Sequence, residues 1–232
     1  MVSFLLFPAT IFYFSPVLII IGAGEGLIVG SFVAFALQLV GAFTLGRLCC
    51  GWICPAAGLQ EACTLVSDKK ASNRYNWIKW IIWIPWIAII TITAISAGGF
   101  EKVDLFYQTR YGLSVVEPGA YIIYFIVTGV IMILALAAGR RGFCHYGCWM
   151  APFMIIGTKL GRMLKVPALH LKSDRSQCSE CKRCEKVCPM SLEVAKMVQA
   201  ESMLHTECIL CGSCADNCPH GVIRYSFGKP GM

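Results

Sequence analysis

Four stretches of the chain, 3–21, 27–46, 80–97 and 119–138, are almost free of charge. Each has about the 20 residues a helix needs to cross the hydrocarbon of a bilayer. In lipid every backbone polar group must be satisfied within its own segment, which leaves helices as the economical solution. The sequence therefore predicts an all-α bundle of four transmembrane helices over residues 1–154. Composition agrees: 57% of the 232 residues are hydrophobic and 14% charged, against about 25% charged in soluble domains. No basic region precedes the first stretch and no small-residue cleavage site follows it, so it reads as a retained span. "GAGEG" at 22–26 predicts a tight reversal, and Pro85 predicts a kink in the third span. Trp77, Trp80, Trp83 and Trp86 sit at that span's entry, as in an aromatic belt.

The net charge of +7 lies wholly in residues 1–172, which hold 13 Lys and Arg against 6 Asp and Glu; residues 173–232 balance at 7 and 7. Nucleic-acid binding calls for a basic face on a soluble surface, and the sequence offers none. The basic residues instead flank spans. Arg47, Lys69, Lys70, Arg74 and Lys79 follow the second, and Arg140, Arg141, Lys159, Arg162, Lys165 and Lys172 follow the fourth. The positive-inside rule then puts both stretches, and both termini, on the cytoplasmic side of an inner membrane. Residues 155–172 alternate apolar and basic positions, as expected of an interfacial helix or linker.

Residues 173–232 carry "CSECKRCEKVCP" at 178–189 and "CILCGSCADNCP" at 208–219. Both are the C-x2-C-x2-C-x3-C-P run of bacterial ferredoxins, which binds [4Fe–4S] clusters. Three thiolates on a tight loop can take three irons of one cube, while the fourth cysteine reaches the other cube. One cluster is expected on Cys178, Cys181, Cys184 and Cys218, the second on Cys208, Cys211, Cys214 and Cys188. Zinc also favours C-x2-C pairs, but two identical proline-closed runs point to cubes. His205 and His220 lie beside the runs as solvated or supporting groups.

The remaining cysteines include a second repeat. "GRLCCGWICP" at 46–55 is echoed by "RRGFCHYGCW" at 140–149, so that Cys50 matches Cys144, Cys54 matches Cys148 and Arg47 matches Arg141. Each motif closes a hairpin of the same orientation, so a pseudo-twofold axis along the membrane normal would bring the pairs face to face. Four sulfurs there could hold an iron–sulfur cluster, a single iron or zinc, or copper(I). His145 could orient or replace one of these ligands. Cys49 and Cys63 read as ordinary buried thiols. Glu25 is a candidate proton relay, and Gln60 and Glu61 are candidate quinone contacts.

With the spans, "CGWICP", a second C-x3-C and a terminal double ferredoxin in this order, the whole chain resembles the NapH-type membrane ferredoxins. That superfamily includes NosR-like and CcoG-like proteins. The resemblance implies two pseudo-repeated hairpins, then a small α+β two-cluster ferredoxin domain, passing electrons between a membrane quinone and a redox partner on the cytoplasmic side. It departs from the family where Cys148 is followed by Trp149 rather than proline. A reductase or assembly factor for copper is the alternative reading.

Overall fold

The structure, a computed structural model, describes residues 2–229, with side chains from Phe4 onward. Its first apolar stretch is not one helix. It runs as α1 (Val2–Leu5), α2 (Phe7–Thr10) and a 3-10 turn at Ile11–Phe14, then α3 (Pro16–Gly24). The parts before and after residue 15 are bent by 49°. Pro16 causes the break: the residue before a proline is pushed out of the helical region, and Ser15 is extended at φ −82°, ψ 121°. The Ser15 hydroxyl then caps α3, accepting a hydrogen bond from the Leu18 amide at 3.4 Å.

The second stretch also differs from expectation. Leu27–Val29 is a short strand, β1, paired in parallel with β2 (Lys102–Asp104), and α4 (Gly30–Leu45) starts only after it. Two helices, Asn73–Ser96 and Pro118–Ala138, are long and apolar enough to cross a membrane, and the bent pair makes a third if counted as one span. The 16-residue α4 is shorter. Among the described residues two or three helices reach the length of a span, against the four expected, because strand pairing and a proline break use up residues that the apolar pattern assigned to helix. The two long helices, whose apolar cores are α7 (Ile78–Ser96) and α8 (Pro118–Ala138), expose Ile81, Ile84, Ile92, Ile122, Ile126 and Ile133. Exposed isoleucines in such numbers are what a lipid-facing surface requires.

The two cysteine motifs fold alike. After α4, Arg47 opens α5 (Leu48–Trp52), and Pro55 starts α6 (Pro55–Cys63). After α8, Arg141 opens α9 (Gly142–Tyr146), and α10 (Ala151–Met163) follows with Pro152 in its first turn. Packing is reciprocal: α6 lies on α8, and α10 lies on α4. This is the exchange a pseudo-twofold repeat produces. At the α4–α10 contact, Gly157 and Gly161 press on the carbonyls of Leu39 and Phe43, where a Cβ would stand only 2.5 and 2.6 Å away. The stretch expected as an interfacial helix is thus half packed helix. Its end joins the C-terminal unit as β3 (Ala168–Ser173), which pairs antiparallel with β4 (Ile223–Gly228). Between these strands lie α11 (Arg183–Lys186), α12 (Val194–Gln199) and α13 (Ser213–Asp216).

The α4–α10 contact generates a direct test. Gly161→Leu forces backbone apart and should destabilise the fold by about 1–3 kcal/mol, read as a lower melting temperature in detergent. The exposed Leu160→Ala should change it little.

Candidate metal centres

The two ferredoxin runs adopt the same backbone. Glu180 and Leu210 have φ of 54° and 52°, and the residues two further on, Lys182 and Gly212, have φ of 56° and 82°. These paired left-handed turns curl each loop so that its three cysteines face one centre. A cavity of about 460 Å³ is lined by Cys178, Cys181, Cys184 and Cys218. A second, of about 20 Å³, is lined by Cys188, Cys208, Cys211 and Cys214. The structure thus brings together the two crossed sets predicted from spacing, each with its fourth cysteine from the other run. Their surroundings differ. Cys181 is exposed at the outer set, whereas Leu171, Met190, Met197, Met203 and Ile209 wrap the inner one.

The inner set stands against the membrane motifs. Gly51, inside "CCGWICP", abuts the inner loop so closely that a Cβ there would lie 2.5 Å from the Ile209 carbonyl and 3.2 Å from the Cys211 Cα. Trp52 Nε1 donates to the Leu210 carbonyl at 3.0 Å, and Tyr225 Oη donates to the same oxygen at 2.7 Å. Cys50 and Cys144 belong to one apolar core with Cys188 and Cys214.

The four membrane-motif cysteines also converge. Cys54 lies in the electrostatic field of Cys50, Cys144 and Cys148, and Cys148 in that of Cys144 and Cys50. Arg141 Nη1 donates to the Cys50 carbonyl at 2.8 Å and pairs with Glu61, so the second motif's arginine braces the first motif. Among the described residues, no three His, Cys, Asp or Glu side chains are gathered closely enough to hold a single ion. That geometry gives no support to a lone iron, zinc or copper(I) at these four thiols. The ferredoxin sets are likewise not gathered around a single-ion position; in a cube each thiolate binds its own iron.

His145 takes a different place from the one the sequence suggested. Its Nδ1 pairs with Asn76 Oδ1 at 2.7 Å, and it lies in the field of Glu207, Lys79 and Arg47 rather than of the thiols. Burial pushes its pKa down to about 4, so the ring is neutral. Gln60 donates to Cys144 Sγ at 3.2 Å and accepts from the Phe143 amide at 3.0 Å. Glu25 is exposed and accepts from Tyr107 Oη at 2.9 Å. His205 accepts from the Glu207 amide at 3.1 Å, and His220 lines the outer cavity. Of the two thiols expected to be buried, Cys63 is, while Cys49 is only half-buried.

Sequence reading missed two features. Met154 Sδ lies 3.2 Å from Cys50 Sγ, a soft neighbour that α10 supplies two residues after Pro152. Glu207, immediately before Cys208, is buried between Arg47 Nη1 at 2.6 Å and Lys79 Nζ at 2.5 Å. Burial raises this carboxyl, but Arg47 and then Lys79 outweigh it and hold it below the usual glutamate range. The only clue in the sequence was that Arg47 occupies the repeat position.

A carboxyl with a lowered folded pKa contributes stability that is present above its unfolded pKa and is lost as pH falls through the folded one. Docking of the C-terminal unit should therefore hold at neutral pH and loosen only below the ordinary glutamate range. Glu207→Ala, which strands two buried cations, should cost about 3–5 kcal/mol. Limited proteolysis between α10 and β3 reads both effects as faster cleavage.

Residues 177–223 match the 4Fe-4S dicluster domain family. An uncharacterized protein of Methanocaldococcus jannaschii is 25% identical over 86% of this chain and 72% of its own length. A protein of Escherichia coli named for electron transport, YccM, is 22% identical over 90% of this chain and 57% of its own. The ferredoxin-type protein NapH of Haemophilus influenzae is 29% identical over 46% of this chain and 39% of its own. The chain thus spans little more than half of YccM and less than half of NapH. No solved structure matches it. Residues 177–223 thus belong with the 4Fe-4S dicluster domains, on a chain whose apolar helices are long enough to cross a membrane.

Proposed function

We propose that this protein is a membrane-bound electron-transfer subunit that moves electrons between a membrane quinone and a redox protein docking at its outer ferredoxin cavity. The observation that carries the reading is the close approach of Gly51 to Cys211, which brings the first membrane motif against the inner ferredoxin loop and puts Cys50 and Cys144 in one core with Cys188 and Cys214. When bound, iron–sulfur clusters would supply one-electron chemistry at three places: Cys50, Cys54, Cys144 and Cys148; then Cys188, Cys208, Cys211 and Cys214; then Cys178, Cys181, Cys184 and Cys218.

The residues around these sets have distinct tasks. Arg141 and Arg47 place positive charge beside Cys144, which partly offsets the burial that pushes its thiol up. Gln60 orients Cys144 through its amide. Glu207, held by Arg47 and Lys79, fixes the inner loop over Gly51. The apolar wrap of Leu171, Met190 and Ile209 keeps water from the inner set, while exposed Cys181 leaves the outer set within reach of a partner. The basic flanks at 47–79 and 139–172 support a cytoplasmic position for this end.

Iron and acid-labile sulfide, measured with EPR on anaerobically purified protein, test the reading. Two cubes account for about eight irons per chain, and a third centre raises the total to ten or more. Cys50→Ala and Cys144→Ala should each return the count to about eight and spare the ferredoxin signals. A wild-type value of about eight would leave the membrane cysteines without iron and defeat the three-centre account.

A further inference from the structure

On the far side of Cys54 and Cys148 from the ferredoxin unit lies a cavity of about 450 Å³. This size is usual for small-molecule sites. Phe7, Ile11, Val127, Ile131 and Phe143 give it apolar walls. It lies between the broken first segment and α8, and its rim carries exposed Val17, Ile21 and Ile123. It is therefore open sideways, on the surface that the exposed isoleucines mark as lipid-facing. Its lining also includes Gln108, from the loop joining α7 to α8 at the end away from the ferredoxin unit. Tyr107, next to Gln108, donates to Glu25 at 2.9 Å, and Glu25 is exposed. One space thus touches two cysteines of the proposed redox centre, an apolar side entrance and a polar chain ending in a carboxylate.

We propose that this cavity binds the head group of a quinol, with its tail leaving between α3 and α8, and that Tyr107 and Glu25 take up the quinol protons. The inference rests on the electron-transfer reading above and locates its lipid-soluble substrate. Each quinol breaks two O–H bonds and becomes quinone. Its two protons pass to the Glu25 carboxylate in turn and on to water. Its two electrons go, one at a time, to the oxidised centre held at Cys54 and Cys148, and the oxidised partner protein at the outer cavity finally accepts them. Gln108 positions a head-group oxygen by hydrogen bonding. The break at Ser15–Pro16 has a use here, since a straight helix through Phe14 and Val17 would close the cavity that the bend leaves open.

The probe is decylubiquinol, with an azido-substituted quinone as photolabel, on detergent-purified holoprotein. Irradiation should label peptides within 7–21, 123–131 or 143–150, or those carrying Cys54–Ala56 or Gln108, and excess decylubiquinol should protect them. Label elsewhere, or label that quinol does not displace because the space holds only lipid chains, overturns the site. Val127→Trp fills the cavity and should raise the KM for decylubiquinol about tenfold or more. Glu25→Gln should lower quinol-driven turnover about tenfold or more at unchanged KM. Cluster reduction by dithionite should match wild type in both variants, which separates a lost site from a lost fold. If wild-type centres stay oxidised with quinol but reduce with dithionite, the quinone reading itself fails. If quinol reduces wild type and both variants alike, the reading stands and the site is wrong.

Discussion

Glu207 shares its carboxylate between Arg47 and Lys79, and all three side chains are buried where the ferredoxin unit meets the membrane helices. Removing charges from water is costly, and a buried pair holds only if its geometry is complete. The contact is therefore selective: the unit can dock in one register, with Glu207 between a cation from the first cysteine motif and one from the entry of α7. That register puts Ile209 and Cys211 over Gly51 and makes Cys50, Cys144, Cys188 and Cys214 neighbours in one apolar core. Further hydrogen bonds fasten the same face, from Trp52 to Leu210 and from the Ala71 amide to Ser191.

The arrangement divides labour along the chain. Long apolar helices supply a surface that only lipid covers well. The two short helices at the motifs, α5 and α9, turn the chain so that its thiols leave the lipid face and point toward each other. The ferredoxin unit then covers Cys50 and Cys144, which share its apolar core with Cys188 and Cys214. The exchange of α6 onto α8 and of α10 onto α4 locks the two halves. Neither cysteine motif can move without the helix that the other one leads into.

Much of this could be read from particular residues. The crossed cysteine sets follow from C-x2-C-x2-C-x3-C-P, because that spacing repeats the same turns wherever it occurs. The equivalence of Arg47 with Arg141, and of Cys50 with Cys144, was visible as a repeat and appears as matching short helices. Helix lengths were less legible. Hydropathy does not register that Pro16 ends one helix and starts another, or that Leu27–Val29 finds a strand partner 75 residues on at Lys102–Asp104. His145 looked like a ligand because it neighbours Cys144, yet on a five-residue helix adjacent side chains diverge, and it meets Asn76 instead. Met154 and Glu207 were silent, since their importance comes only from what folding sets beside them.

In the proposed function the membrane-motif cysteines hold an iron–sulfur centre in contact with the inner ferredoxin cube. Pulsed EPR on the fully reduced protein tests it most directly through magnetic coupling between centres. The account predicts three mutually coupled paramagnetic centres, with one centre and its coupling lost in Cys144→Ala. A spectrum of two coupled centres in wild type, unchanged by Cys144→Ala, would contradict it.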